Sequence, residues 1–382
     1  MSEMQAILDR SVAQGDVPFV VALVGDRDGL LFSGAAGDAA AGRRAGEETF
    51  FRIFSMTKPV CAVAAMILVE RGKLDLDTEV EQILPHFAMV RLLEGFDGIA
   101  PIFRTAKRKP TVRNLLTHTS GLEYELWNEE VAAYMEATGH PSVLTGTRAS
   151  LYYPMMSEPG SRWAYGPNYD WLGLVVEAID GRSIVDFCQE EIFDPLVMPD
   201  TRFELSPADH ARLCEAMIRT DAGGFEPIDI APATDPQVYA MGHSLYSTAP
   251  DYMRFLRMFL GGGELDGRRI LSSSAVDLMM LNHIGTLNFR KMVPCSPLSA
   301  TLDPFPDAVL THSLAFVRSE DQIPGMRSIG SQGWAGMLNS FYWFDPDKDV
   351  AALFMAQSLP FADTRYMSRF EEFERAVYSH FR

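Results

Sequence analysis

Cysteine is scarce in this chain: its 382 residues hold four, Cys61, Cys188, Cys214 and Cys295, far apart and with no C-x-x-C pair. That scarcity fits neither a disulfide framework nor a zinc ribbon, and a reducing cytoplasm is the simplest home for such a protein. Positive charge is in short supply as well, with Lys plus Arg at 33 against 51 for Asp plus Glu and a formal charge of −18. Such a balance opposes nucleic acid and anionic membrane surfaces. Long apolar runs are missing too: the longest uncharged one, Val60 to Val69, is too short to span a bilayer. The opening MSEMQAILDRSVAQGD lacks the basic start of an export signal and has instead the spacing of an amphipathic helix. The eight histidines show no H-E-x-x-H or other ligand spacing, so no metal and no cofactor is expected.

What is present is a globular composition, 47% hydrophobic and 22% charged, at a length that suits one large unit or two intimate domains. Met4–Val12 has helical spacing; Phe19–Gly25 and Leu30–Gly34 are apolar runs joined by Asp-Arg-Asp-Gly, the pattern of a hairpin. The far end repeats the style, with Phe341–Phe344, an Asp345-Pro346-Asp347 turn and the run Val350–Gln357. A helix then follows in which Phe370, Phe373, Val377 and Phe381 keep a 3.6-residue period. The expected fold is α+β, an antiparallel sheet shared by both ends and flanked by helices. Between about 76 and 240 the strand signal fades, and helical pieces at Thr111–Thr119 and Asp170–Ile179 alternate with Pro- and Gly-rich loops. This predicts an inserted, mostly helical domain over 76–240 and a discontinuous α/β domain over 1–75 and 241–382.

Chemistry enters at Phe51-Arg-Ile-Phe-Ser55-Met-Thr-Lys58-Pro59, ahead of the apolar helix Val60–Val69 that Arg71-Gly72 closes. Ser55 and Lys58, three apart, share one helix face, where an ammonium can stabilise an alkoxide or phenolate. The S-x-x-K pattern alone is common, but this helix is too apolar to begin at an ordinary surface. A second patch, Glu158-Pro-Gly-Ser-Arg-Trp163-Ala-Tyr165-Gly-Pro-Asn168, sets a tyrosine on a loop before another apolar helix. A third, Ile329-Gly-Ser-Gln-Gly333-Trp334-Ala335-Gly336-Met337, reads as a glycine-bearing edge strand able to turn backbone N–H groups toward a carbonyl. Gly242-His243-Ser244-Leu245-Tyr246 is half of a nucleophile elbow, without the second glycine or a leading strand, and is set aside. His118 reads as a buried histidine bonding loop carbonyls, Leu74-Asp75-Leu-Asp77 as a turn, and Lys107-Arg108-Lys109 as a solvated loop.

Taken together with Leu115-Leu-Thr-His118-Thr-Ser120-Gly121-Leu122, Leu245-Tyr-Ser247-Thr248-Ala-x-Asp251, Gly262-Gly263-Glu264-Leu-x-Gly267 and Trp343-x-Asp345-Pro346, these patches cover nearly the whole chain. In order and spacing the chain resembles the serine β-lactamase and penicillin-binding-protein superfamily, within it the class C β-lactamase-like esterases, or family VIII carboxylesterases. The resemblance implies an active site in the groove between sheet and helical domain. It makes Ser55 the acylated nucleophile, Lys58 its charge partner and Tyr165 the base. For that role the phenol has to drop below its ordinary value of about 10, which a nearby ammonium achieves. The backbone N–H groups of Ser55 and Met337 would form the oxyanion hole, with Trp334, Ala335 and Gly336 along the substrate.

Two departures bear on the substrate. Where β-lactamases of this class carry Tyr-x-Asn, this chain has Tyr165-Gly166-Pro167, so their side-chain amide is missing unless Asn168 substitutes. Where they carry Lys-Thr-Gly, it has Trp334-Ala335-Gly336, as the esterase branch does. Losing a cation that binds the substrate carboxylate forfeits roughly 1.5–3 kcal/mol, about 10- to 150-fold. The reading is therefore a hydrolase of small or short-chain carboxylic esters, with a small-molecule ester as its partner. Three others share its residues: an acyltransferase, a weak β-lactamase, and a binding protein that has lost catalysis.

Overall fold

The computed structural model describes residues 2–381. Its centre is an eight-stranded sheet, in the order Leu310–His312, Val317–Ser319, Gln332–Gly336, Ser340–Asp345, Val350–Met355, Phe19–Gly25, Leu30–Ala40 and Arg43–Arg44. Every neighbouring pair runs antiparallel. The first hairpin turns at Asp26, whose Oδ1 accepts from the backbone N–H groups of Asp28 and Gly29 at 2.8 Å each, an Asx turn that aligns both strands. At the other end Asp345 does the same for the backbone of Asp347 and Lys348. The two ends then pair with each other, Val21 opposite Met355 through Gly25 opposite Ala351.

All six residues of Ser340–Asp345 are buried, because successive side chains point to opposite faces and both faces are covered. Phe341 and Trp343 meet Phe370 of the helix Thr364–His380, with ring centroids 5.1 and 5.5 Å away. Tyr342 and Phe344 meet Tyr252 and Phe259 of the helix Ala249–Leu260, both at 5.2 Å. The helix Ser2–Ala13 packs against Thr364–His380 on the first face. Two covered faces explain the near-continuous apolar runs where one exposed face would have given alternation.

The helix Thr57–Glu70 is buried from Thr57 through Leu68 and packs on the helix Asn168–Asp180. Gly72, at φ +67°, closes it in the left-handed conformation that favours glycine. Residues 76–240 are mostly short helices and loops, with two hairpins that apolar periodicity did not indicate, Leu92–Asp97 with Ala100–Arg104 and Met217–Arg219 with Phe225–Pro227. The stretch after residue 200 is stitched back to the sheet side: Arg202 bridges Tyr246, Leu213 bridges Phe50, and Met217 pairs with Ser358. The strand Gln332–Gly336 is not at the sheet's edge as expected. Its neighbour Val317–Ser319 reaches only Gln332 and Gly333, which leaves Trp334–Gly336 without a strand partner on that side.

Candidate active site

Ser55 lies in a short 3₁₀ turn, Phe54–Met56, that leads directly into the helix Thr57–Glu70. The turn is strained: Phe54 has φ +42°, a left-handed conformation costing a bulky residue about 1–3 kcal/mol and held here by complete burial of its ring. It is clamped from the sheet side by Gly336, where an added Cβ would stand 2.4 Å from the carbonyl oxygen of Ile53. A glycine there is what lets the strand approach the serine turn, so Gly336 shapes the site through its missing side chain.

Lys58 is 2% exposed, yet its ammonium is well provided for. Nζ donates to Ser55 Oγ at 3.0 Å and to the carbonyl oxygen of Gly242 at 2.8 Å. It also stands 4.8 Å from the ring centre of Tyr165 and 5.5 Å from that of Tyr124, favourable places for a cation. The hydroxyl of Tyr165 accepts from the indole Nε1 of Trp334 at 3.2 Å, and its carbonyl accepts from the backbone N–H of Tyr124 at 3.1 Å. A serine hydroxyl bonded to an ammonium, beside a phenol whose oxygen is gripped by an indole N–H, is a setting in which the serine proton can leave at low cost.

Ser55, Tyr165, Trp334, Ala335 and Met337 line one cavity of about 910 Å³, counted to its open mouth. The walls are largely apolar, built from Phe54, Leu126, Trp127, Leu144, Leu298 and Phe361 among others. One carboxylate stands on them: Glu125, whose Oε2 accepts from the hydroxyl of Tyr153 at 3.0 Å and whose pKa burial raises. His243 also lines the cavity; burial and then the charge of Lys58 lower it to about 3, so it is neutral.

Asn168 does not take the place offered to it. It is fully buried, bonded to the hydroxyl of Ser120 and, through Nδ2, to Nδ1 of His118 at 2.9 Å. Pro167 precedes the helix and Asn168 is its first residue, which turns the amide into the protein, away from substrate. His118 receives that amide instead of bonding loop carbonyls; burial, His312 and Lys58 hold its pKa well below the ordinary value. Neutral, it packs 4.8 Å from the Tyr165 ring. Ser244 is buried and does not line the cavity. Among the described residues no group of three or more His, Cys, Asp or Glu side chains is placed to hold a metal ion. No helix among them is long and apolar enough to cross a membrane. The four cysteines are free.

Sequence reasoning passed over Gly242, Tyr124, Glu125 and Asp170. Gly242 acts through backbone atoms, which no side-chain pattern reveals. Asp170, fully buried five positions after Tyr165, accepts the N–H of Gly242 on Oδ1 at 2.7 Å. A charged residue in the first turn of the helix Asn168–Asp180, directly ahead of the apolar run Trp171–Val176, was the available signal for it.

The model of the family described as Beta-lactamase matches residues 4–374. The chain is 31% identical over 348 residues to Monacolin J acid methylbutanoyltransferase of Aspergillus terreus, covering 87% of this chain and 83% of that one. It is 28% identical over 330 residues to Lovastatin esterase of Penicillium rubens, covering 80% and 78%. Unliganded Simvastatin Synthase (LovD) from Aspergillus terreus has a similar structure, with TM-score 0.84, 26% identity, and coverage of 99% of this chain and 97% of that one.

Proposed function

The chain belongs to the beta-lactamase family, and from that premise we propose that it is a carboxylesterase of the family VIII kind, working through an acyl-enzyme on Ser55. Tyr165 takes the proton of Ser55 Oγ as that oxygen attacks the ester carbonyl, and returns it to the departing alcohol. The Lys58 ammonium stabilises the negative charge, which starts on the Tyr165 phenolate and passes through the serine oxygen to the carbonyl oxygen. The backbone N–H groups of Ser55 and Met337 receive the carbonyl oxygen as it becomes an oxyanion. Water, deprotonated by the same phenolate, then attacks the acyl carbon, and the proton passes to Ser55 Oγ as the acid leaves. This site lies in the groove between a sheet unit of residues 1–75 and 241–382 and a helical unit of residues 76–240. Four free cysteines fit a reducing compartment, and we place the protein in the cytoplasm.

The observation that carries the reading is the 3.0 Å bond from Lys58 Nζ to Ser55 Oγ. An uncharged ester is favoured over a β-lactam because Trp334 stands where a cation would meet a carboxylate, and Glu125 is the charged side chain on the cavity wall. A carboxylate entering there loses hydration with no cation on the cavity wall to replace it. The largely apolar walls also extend the substrate class beyond short acyl chains to esters with a bulky apolar part. The same cavity admits an alcohol in place of water, so acyl transfer is the second reading, favoured by likeness to both an esterase and an acyltransferase by name. The test is kcat/KM for p-nitrophenyl acetate, butyrate and a bulkier ester against nitrocefin, with and without an added alcohol. Ester cleavage well above that of nitrocefin is expected; a nitrocefin value equal to the best ester would make the protein a β-lactamase instead.

A further inference from the structure

Behind the Ser55 corner a charged group is buried that the reaction as written does not use. Asp170 has no exposed surface. Its Oδ1 accepts the Gly242 N–H at 2.7 Å, and Oδ2 has no partner. A fully buried carboxylate oxygen without a hydrogen bond is costly and calls for a reason. Gly242 supplies one, since the same residue that donates its N–H to Asp170 presents its carbonyl oxygen to Lys58 Nζ at 2.8 Å. Its missing side chain is required, because a Cβ would stand 2.6 Å from Asp170 Oδ1 and 3.1 Å from the Tyr124 hydroxyl. The groups that feel the carboxylate are Lys58 and Cys61 from the helix Thr57–Glu70 and, from the helical side, Tyr124 and Tyr153. Of these Lys58 is the cation. His243, on the other side of Gly242, is neutral.

Resting on the Ser55–Lys58–Tyr165 reading, we propose that Asp170 is a positioning residue for Lys58. It fixes the Gly242 turn whose carbonyl receives the ammonium, and it supplies a buried negative charge opposite that ammonium while Tyr165 takes the serine proton. The arrangement trades folding stability for a charged lysine. Burial raises the carboxyl of Asp170 to about 6, against the pull of Lys58 and the Gly242 N–H. Ionising it above that pH therefore costs the folded state free energy, while the same ionisation makes the site competent. A carboxylate that served only to hold the fold would give the opposite balance.

Asp170→Asn tests this, since an amide oxygen can still accept from Gly242 while the charge is gone. In the full-length protein, with p-nitrophenyl acetate at about pH 8, kcat should fall about 10- to 100-fold with KM changed less than about 3-fold. Wild type should show an acidic limb near pH 6, and that limb should vanish in the variant. The melting temperature at that alkaline pH should be no lower than wild type. Wild-type kcat with the acidic limb intact would overturn the proposal, and so would a lowered melting temperature with an unchanged pH profile. A readout independent of turnover separates this from the esterase reading: in lysine-labelled protein followed by NMR, Lys58 should lose its proton at lower pH in Asp170→Asn. An unmoved Lys58 titration defeats the proposal even if esters are cleaved; a moved one upholds it even if none is. Should the variant not fold, wild-type labelling by a fluorophosphonate across the same pH range carries the test. A rate that declines through about pH 6 is expected, and a flat rate is the contrary result.

Discussion

The polar corner of the cavity and its apolar walls are built on different terms. At the Ser55 corner the polar groups are tied to one another, with Lys58, Tyr165, Gly242 and Asp170 buried and Ser55 and Trp334 partly so: Lys58 to Ser55 and Gly242, Gly242 to Asp170, Tyr165 to Trp334. Along the walls Leu126, Trp127 and Leu144 are only partly buried, they come from loops and short turns, and Glu125 is the charged side chain set among them. A change at the corner leaves some other buried polar atom without its partner, which multiplies the damage. A change on the walls alters which substrate fits and leaves the reacting atoms where they were. Reaction type and substrate choice are thus carried by different residues of one cavity, the second by the kind of loop that tolerates variation.

Substitutions ranked by expected effect sharpen that contrast. Ser55→Ala should abolish turnover, by about 10⁴-fold or more, and a fluorophosphonate followed by mass spectrometry should mark Ser55 and leave Ser244 untouched. Activity surviving in Ser55→Ala would remove the corner from the chemistry. Tyr165→Phe should lower kcat about 10²- to 10⁴-fold with the fold intact by circular dichroism; a loss confined to KM would make the tyrosine a wall residue. For Trp334→Phe, which keeps an aromatic wall but deletes the donor to Tyr165, the expectation is about a 2- to 10-fold drop in kcat. If KM rises instead while kcat holds, Trp334 belongs with the walls. Glu125→Leu should leave p-nitrophenyl butyrate within about 3-fold of wild type and improve an ester bearing a free carboxylate by roughly 5-fold, near 1 kcal/mol. Equal effects on both substrates would dissolve the distinction between corner and walls.

The terminal strands and helices were readable because their signals are local: period-two or continuous apolar runs, Asx turns at Asp26 and Asp345, a 3.6 period over Phe370–Phe381. Leu310–His312 and Val317–Ser319 escaped, being three residues each with little apolar pattern. Ser55 and Lys58 were legible as a spaced pair, and Tyr165 as a loop aromatic before a helix. The error over Asn168 is instructive. Reading it three positions beyond Tyr165 supposes a chain that stays extended, whereas Pro167 starts a helix and rotates the next side chain inward. Glu125, Gly242 and Asp170 could be placed only by tertiary packing, since their partners lie elsewhere in the chain.

The pairing of Phe19–Gly25 with Val350–Met355 joins segments separated by almost the whole length of the molecule. During synthesis the first hairpin must therefore wait, with one edge of an entirely apolar strand bare, until the ribosome has released nearly everything else. Of the last elements to emerge, the strand Val350–Met355 pairs along that edge, and the helix Thr364–His380 brings Phe373 to Phe32 of the hairpin, with ring centroids 6.2 Å apart. A chain cut short before residue 350 would keep Ser55, Lys58 and Tyr165 and still be a sticky fragment: for this protein, losing the final thirty-odd residues is a failure of folding before it is a failure of chemistry.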